Sequence, residues 1–148
     1  MQAMEISRTA LDVEWRRLEL IAENLANANV AGTATGTIYQ ARQLVSGPKT
    51  DFAALLDGKS PTGAGIDINS LAGVAIQAVQ ASADPPRLVR EPGNPAANAE
   101  GLVAYPAIDH AAEMTRMVAT ARAYEANIVA LNTAREMYSK ALQLGERA

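Results

Sequence analysis

Cysteine is absent from all 148 residues, which excludes disulfide staples and any metal site built on thiolates. Aromatic residues make up only 4% of the chain, so a core has to be assembled from small aliphatic side chains, and close helix–helix packing is favoured over a bulky aromatic interior. No apolar run approaches the roughly 20 residues needed to span a bilayer. There is no excess of positive charge either. Thirteen basic residues face 16 acidic ones, for a net charge of −3, and neither sign forms a block. That excludes the basic stripe on which nucleic-acid binding usually depends. The opening "MQAMEISRTALDVEWRRLEL" lacks both an apolar core and a small-residue cleavage site, so no standard secretory signal is expected. If the protein leaves the cytoplasm, it needs another route.

Glycine and proline are unevenly distributed. Every proline, and every glycine but Gly145, falls between residues 30 and 109. The two flanks, free of both breakers until Gly145 supplies a stop near the C-terminus, read as long helices. From about Met4 to Ala28, Met4, Leu11, Leu18 and Leu25 recur every seven residues. Trp15, Ile21, Ala22 and Ala28 widen the row into a stripe opposite Arg16, Arg17, Glu19 and Glu23. At about 1.5 Å per residue such a helix approaches 40 Å in length. Near the other end, Met114, Met117, Ala121, Tyr124, Ile128, Leu131, Arg135, Tyr138 and Leu142 alternate at spacings of three and four. Taken as heptad a and d positions, eight of the nine are apolar or aromatic and only Arg135 interrupts the seam. Such a seam predicts a coiled coil, packed on the N-terminal helix, on another chain, or on both.

The middle is of another kind. "TIYQARQLV" (37–45), "GVAIQAV" (73–79) and "RLV" (87–89) are short apolar runs between turn residues and predict strands. "DFAALL" (51–56) predicts a helical turn or two, "DGKSPTGAG" (57–65) a flexible loop, and "EPGNP" (91–95) a tight turn. The expected organisation is an N-terminal helix over 1–30, an extended, β-containing, Gly/Pro-rich middle over 31–109, and a C-terminal helix over 110–148. The fold class is mainly α with a small β part.

Catalytic constellations are hard to find. The single His110 precedes the C-terminal helix, where a capping or surface role is expected. Glu14 and Glu19 sit on a solvated helix face, and no serine has a marked partner. Gly63-Ala64-Gly65 lacks the Gly-Lys-Ser/Thr of a phosphate loop, and Asp67 with Asn69 lacks the rest of a calcium loop. No enzyme activity, metal, cofactor, small-molecule substrate or nucleic-acid partner is expected.

Asparagine is where it is least expected. "NLANAN" (24–29) puts three amides at the end of a helix, although Asn is a mediocre helix former. Asn24 borders the apolar stripe, with Asn27 beside it one turn on. In the C-terminal heptads Asn127 falls at a g position and Asn132 at an e position, flanking the seam. One reading has Asn27 and Asn29 merely fraying the helix end. The other has amides beside two apolar stripes fixing the register of packed helices, because a misaligned neighbour leaves them unsatisfied. Asn127 and Asn132, of the same chain or the next, are then the expected partners of Asn24.

At this point a resemblance becomes visible. "LELIAENLANANVAGT" (18–33) resembles the N-terminal signature of bacterial flagellar axial proteins, and "TARAYEANIVALNTAREMYSKALQLG" (120–145) the C-terminal one. "YQARQLV" (39–45) and "PPRLVREPGNPAANAEGLVAYP" (85–106) narrow the likeness to the basal-body proximal-rod branch of that family. Only about 46–72 matches poorly. The resemblance implies a structural subunit that assembles helically with copies of itself and with other rod proteins. The result is the periplasmic drive shaft, which transmits torque and forms part of the export channel. It further implies passage through the flagellar type III export apparatus without a cleaved signal, and pairing of the terminal helices as a coiled coil. The residues expected to pack subunits are Leu11, Leu18, Ile21, Asn24, Leu25, Asn27, Met117, Tyr124, Asn127, Ile128, Leu131, Asn132, Arg135 and Tyr138. The rival reading is a soluble helical adaptor or export chaperone forming a small closed oligomer.

Overall fold

A computed structural model describes residues 2–32, 38–49 and 72–145. In chain order its elements are helix α1 (Gln2–Asn27), strands β1 (Arg42–Pro48), β2 (Val74–Ala81), β3 (Arg87–Arg90) and β4 (Leu102–Tyr105), and helix α2 (His110–Gly145). The fold is therefore mainly α with a small β part. The helices for which 51–56 was a candidate, and the loop expected at 57–65, lie outside the described residues.

Both helices run as far as their sequences allow. α1 meets no Gly or Pro, and it closes in a turn where the Val30 amide donates to the Asn27 carbonyl at 3.1 Å. α2 is started by Asp109, not by His110. The Asp109 carboxylate accepts from the Ala111 and Ala112 amides at 2.9 and 3.2 Å, which satisfies two of the donors that a helix start leaves without partners. His110 is exposed in the first turn.

The strands form two antiparallel pairs, β1 with β2 and β3 with β4. The first strand begins at Arg42, five residues later than "TIYQARQLV" suggests, and β4 lies in "EGLVAYP", where the sequence gives no strand signal of its own. β4 exists because β3 does. Arg87, Leu88, Val89 and Arg90 pair with Tyr105, Ala104, Val103 and Leu102, placing Val89 beside the fully buried Val103. The "EPGNP" turn forms as expected, with the Asn94 amide donating to the Glu91 carbonyl at 3.0 Å.

The chain divides into two compact units, one of Met1–Trp15, Ser46–Gln77 and Arg122–Ala148, the other of Arg16–Val45 and Ala78–Ala121. In the first unit Val13 and Thr9 of α1 are buried. There the Thr9 hydroxyl donates to the Ile6 carbonyl at 2.8 Å and accepts the Val74 amide at 3.1 Å. That approach needs Gly73, whose φ is +96° and where a Cβ would stand 2.2 Å from the Thr9 hydroxyl. In the second unit the core comprises Leu20, Ile21, Ala28 and Val103, together with the polar Asn24, Glu113 and Thr120.

Candidate functional site

The buried row of α1 reads Thr9, Val13, Leu20, Ile21 and Asn24, with Ala28 just past its end, and its polar members are the two that grip backbone elsewhere. Asn24 is 1% exposed. Its Nδ2 donates to the Arg42 carbonyl at 2.9 Å and to Glu113 Oε2 at 3.3 Å. Its Oδ1 accepts from the Arg42 amide and from the Tyr39 hydroxyl, each at 2.9 Å. Two N–H groups and two lone pairs are the full capacity of a side-chain amide, and all four are used within the second unit. None is left over for Asn127 or Asn132, of this chain or of another. By bonding both polar groups of Arg42, the Asn24 amide acts as a one-residue strand partner at the start of β1.

Glu113, in the first turn of α2, is 4% exposed. A buried carboxylate is costly unless it is paired. Here Arg116 holds Oε1 while Asn24 holds Oε2, and the start of a helix favours negative charge. Burial raises the Tyr39 hydroxyl pKa above the usual tyrosine value, and the Glu23 carboxylate adds to the effect.

The other asparagines are bonded locally. Asn27 donates to the Glu23 carbonyl at 2.7 Å and Asn127 to the Ala123 carbonyl at 3.0 Å, each four residues back on its own helix. Asn132 is exposed. Of the remaining packing candidates, Ile21 is buried, while Leu11, Leu18, Leu25, Met117, Tyr124 and Leu131 are half-buried. Tyr124 meets Trp15 with ring centroids 6.2 Å apart, so the two sequence stripes touch within the first unit. In that unit Leu131 and Arg135 line an open groove with Met4 and Ile6. Ile128, Arg135 and Tyr138 are exposed.

Sequence reasoning missed Tyr39, Arg42, Glu113, Thr9 and Gly73. The first three act through long-range partners that no local pattern encodes. Thr9 did leave a signal, as a polar residue four positions before Val13 on a face that is otherwise apolar.

Among the described residues no group of three or more His, Cys, Asp or Glu is placed to hold a metal. What the chain offers is surface. Among the described residues, eight large hydrophobic side chains of α2 are exposed, from Met114 at 58% to Leu144 at 71%.

The chain is similar to known proteins. Residues 99–144 match the family described as flagellar basal body rod FlgEFG protein C-terminal. The flagellar basal-body rod protein FlgC of Salmonella typhimurium (strain LT2) is 36% identical over 146 residues, covering 99% of this chain and 98% of the relative. FlgC of Escherichia coli O157:H7 is 35% identical over 146 residues, with the same coverage. FlgC of Bacillus subtilis (strain 168) is 32% identical over 149 residues, covering 97% of each.

Proposed function

The chain belongs to the FlgC family of flagellar basal-body rod proteins, and from that premise we propose that it is a structural subunit of the basal-body rod, built in beside copies of itself and other rod proteins. The uncovered surface of α2 supports this. Among the described residues five hydrophobic side chains are buried and 13 large ones are exposed. A helix that is apolar around much of its circumference needs cover on more than one side. A rod supplies that cover repeatedly.

On this reading the rod lies in the periplasm, transmits torque and encloses part of the export channel, and the subunit reaches it through the flagellar type III export apparatus without a cleaved signal. The segments 1–30 and 110–148 form the coiled-coil part, and 31–109 faces other neighbours. Leu11, Leu18, Leu25, Tyr124, Ile128, Leu131 and Tyr138 carry the contacts, and Arg135 meets a carboxylate or water at a subunit boundary, since a buried unpaired guanidinium is costly.

The test is deletion of the chain's gene, complementation, and mass spectrometry of purified basal bodies. Loss of swimming on deletion is expected, with the chain recovered from basal bodies starting at or near residue 1. A chain found only in the cytosol, as a small closed oligomer, would establish the adaptor reading instead.

A further inference from the structure

The second unit contains a cleft of about 250 Å³ that the reading above leaves unused. Leu20, Ile21 and Leu44 give it an apolar floor, and Arg17, Arg42 and Arg116 stand around it. Three guanidinium groups thus face one lining carboxylate, Glu113, whose two oxygens are already held by Arg116 and Asn24. Glu23 approaches Arg42 from outside the cleft at 3.8 Å, and both Arg42 and Arg116 remain half exposed. Thr120 also lines the cleft. It is 5% exposed, and its hydroxyl has no hydrogen-bond partner among the described residues. The cleft has room for one or two side chains, and its chemistry suits a carboxylate next to an aliphatic group.

The chain presents that combination on α2. At 100° per residue, Glu125, Val129, Asn132 and Glu136 fall within an arc of about 60°. All four are exposed, Val129 at 65%, and neither carboxylate is paired with a described cation. We propose that the Glu125–Val129 turn of a second copy docks in this cleft, its carboxylate between the arginines and the Thr120 hydroxyl and its valine on the apolar floor. The two patches are different surfaces of one chain. Such a contact is heterologous, so unless its rotation happens to close a ring it propagates as an open helical array. The inference rests on the rod reading and specifies one contact within it.

The absence of cysteine gives a clean test. Gln43, on the cleft rim, and Asn132, on the acidic face, are changed to Cys singly and together, and basal bodies from complemented cells are treated with a short bismaleimide. A ladder at multiples of the 15.6 kDa chain, seen only with both cysteines present, is the expected result. Arg42→Glu and Glu125→Arg should each abolish that ladder, and the double swap should restore it. Dimers formed by Gln43→Cys alone would mean that the cleft faces itself, and would overturn the proposal. A monomer band alone from basal bodies that contain the chain would overturn it too, while leaving the rod reading intact. Absence of the chain from basal bodies would overturn both.

Discussion

Replacing Asn24 with Ala removes four hydrogen bonds from a site that is 1% exposed. The Tyr39 hydroxyl is only half-buried and regains water cheaply. Glu113 Oε2 does not, because its bond to Asn24 is buried, and the Arg42 amide and carbonyl, whose bonds are part-buried, regain it only in part. Each buried group left unsatisfied costs about 1–3 kcal/mol. Counting the three together as two orphaned groups, and crediting the better helix propensity of Ala with about 0.5 kcal/mol, leaves a loss of about 3 kcal/mol. For a chain of this size that lowers Tm by roughly 6–12 °C. Asn24→Asp is the sharper variant. It keeps the shape but turns a donor into an acceptor facing the Arg42 carbonyl and sets a second carboxylate beside Glu113. Like charges raise the shared carboxylate pKa in the folded state, so the stability tied to that proton is present at acid pH and lost as pH rises. At pH 7 Asn24→Asp should unfold below Asn24→Ala, and the gap should narrow as pH falls toward about 4. Urea titration followed by circular dichroism at several pH values reads both effects. A cost under about 0.5 kcal/mol for Asn24→Ala, or equal stability of the two variants at every pH, would refute the network as a source of stability.

Gly73→Ala should destabilise by about 1–3 kcal/mol, since the backbone conformation is strained for an L side chain and the new Cβ meets Thr9; Thr9→Ser in the same chain should not rescue it, because the clashing hydroxyl stays, and thermal unfolding of the pair checks this. Asp109→Ala should cost about 1 kcal/mol by uncapping α2, seen as faster amide hydrogen exchange at residues 111 and 112. Tyr39 has a raised pKa in the folded chain, so its contribution is complete below about pH 10, the unfolded value, and is lost as pH climbs through the folded one. Tyr39→Phe should flatten the alkaline limb of the stability profile, and an unchanged limb would show that Tyr39 does not report on this network.

The helices were legible because their signals are local and repeated. Seven-residue recurrence from Met4 to Leu25, and alternation from Met114 to Leu142, need nothing from the rest of the chain. β3 and the "EPGNP" turn were legible for the same reason. β4 was not, because "LVAY" becomes a strand only when Val103 finds Val89. Of the two roles open to His110 the surface one holds, while Asp109 was passed over as the cap of α2, since both residues are polar and only geometry shows that the Asp109 carboxylate reaches the Ala111 amide. Asn24 marks the limit of pattern reading. Its place beside an apolar stripe was visible, but its partners at Arg42 and Glu113 are 18 and 89 residues away in sequence.

That limit also separates two kinds of surface in this chain. Polar side-chain atoms sealed from solvent are satisfied from within. Among the described residues none of them lacks a hydrogen-bond partner, which leaves the cleft-lining Thr120 hydroxyl as the exception among the buried residues, and the Asn24 network has no chemical need of a neighbour. Where apolar groups are exposed, the described residues supply no cover, as along α2 from Ile128 to Leu144. A mutation in the first class should therefore lower the stability of the isolated subunit before it affects assembly. A mutation in the second, such as Leu142→Ser, should leave the subunit's unfolding midpoint within about 0.5 kcal/mol, as surface substitutions usually do, and still reduce its recovery in basal bodies. If Leu142→Ser instead unfolds the isolated subunit, that part of α2 is already covered within one chain.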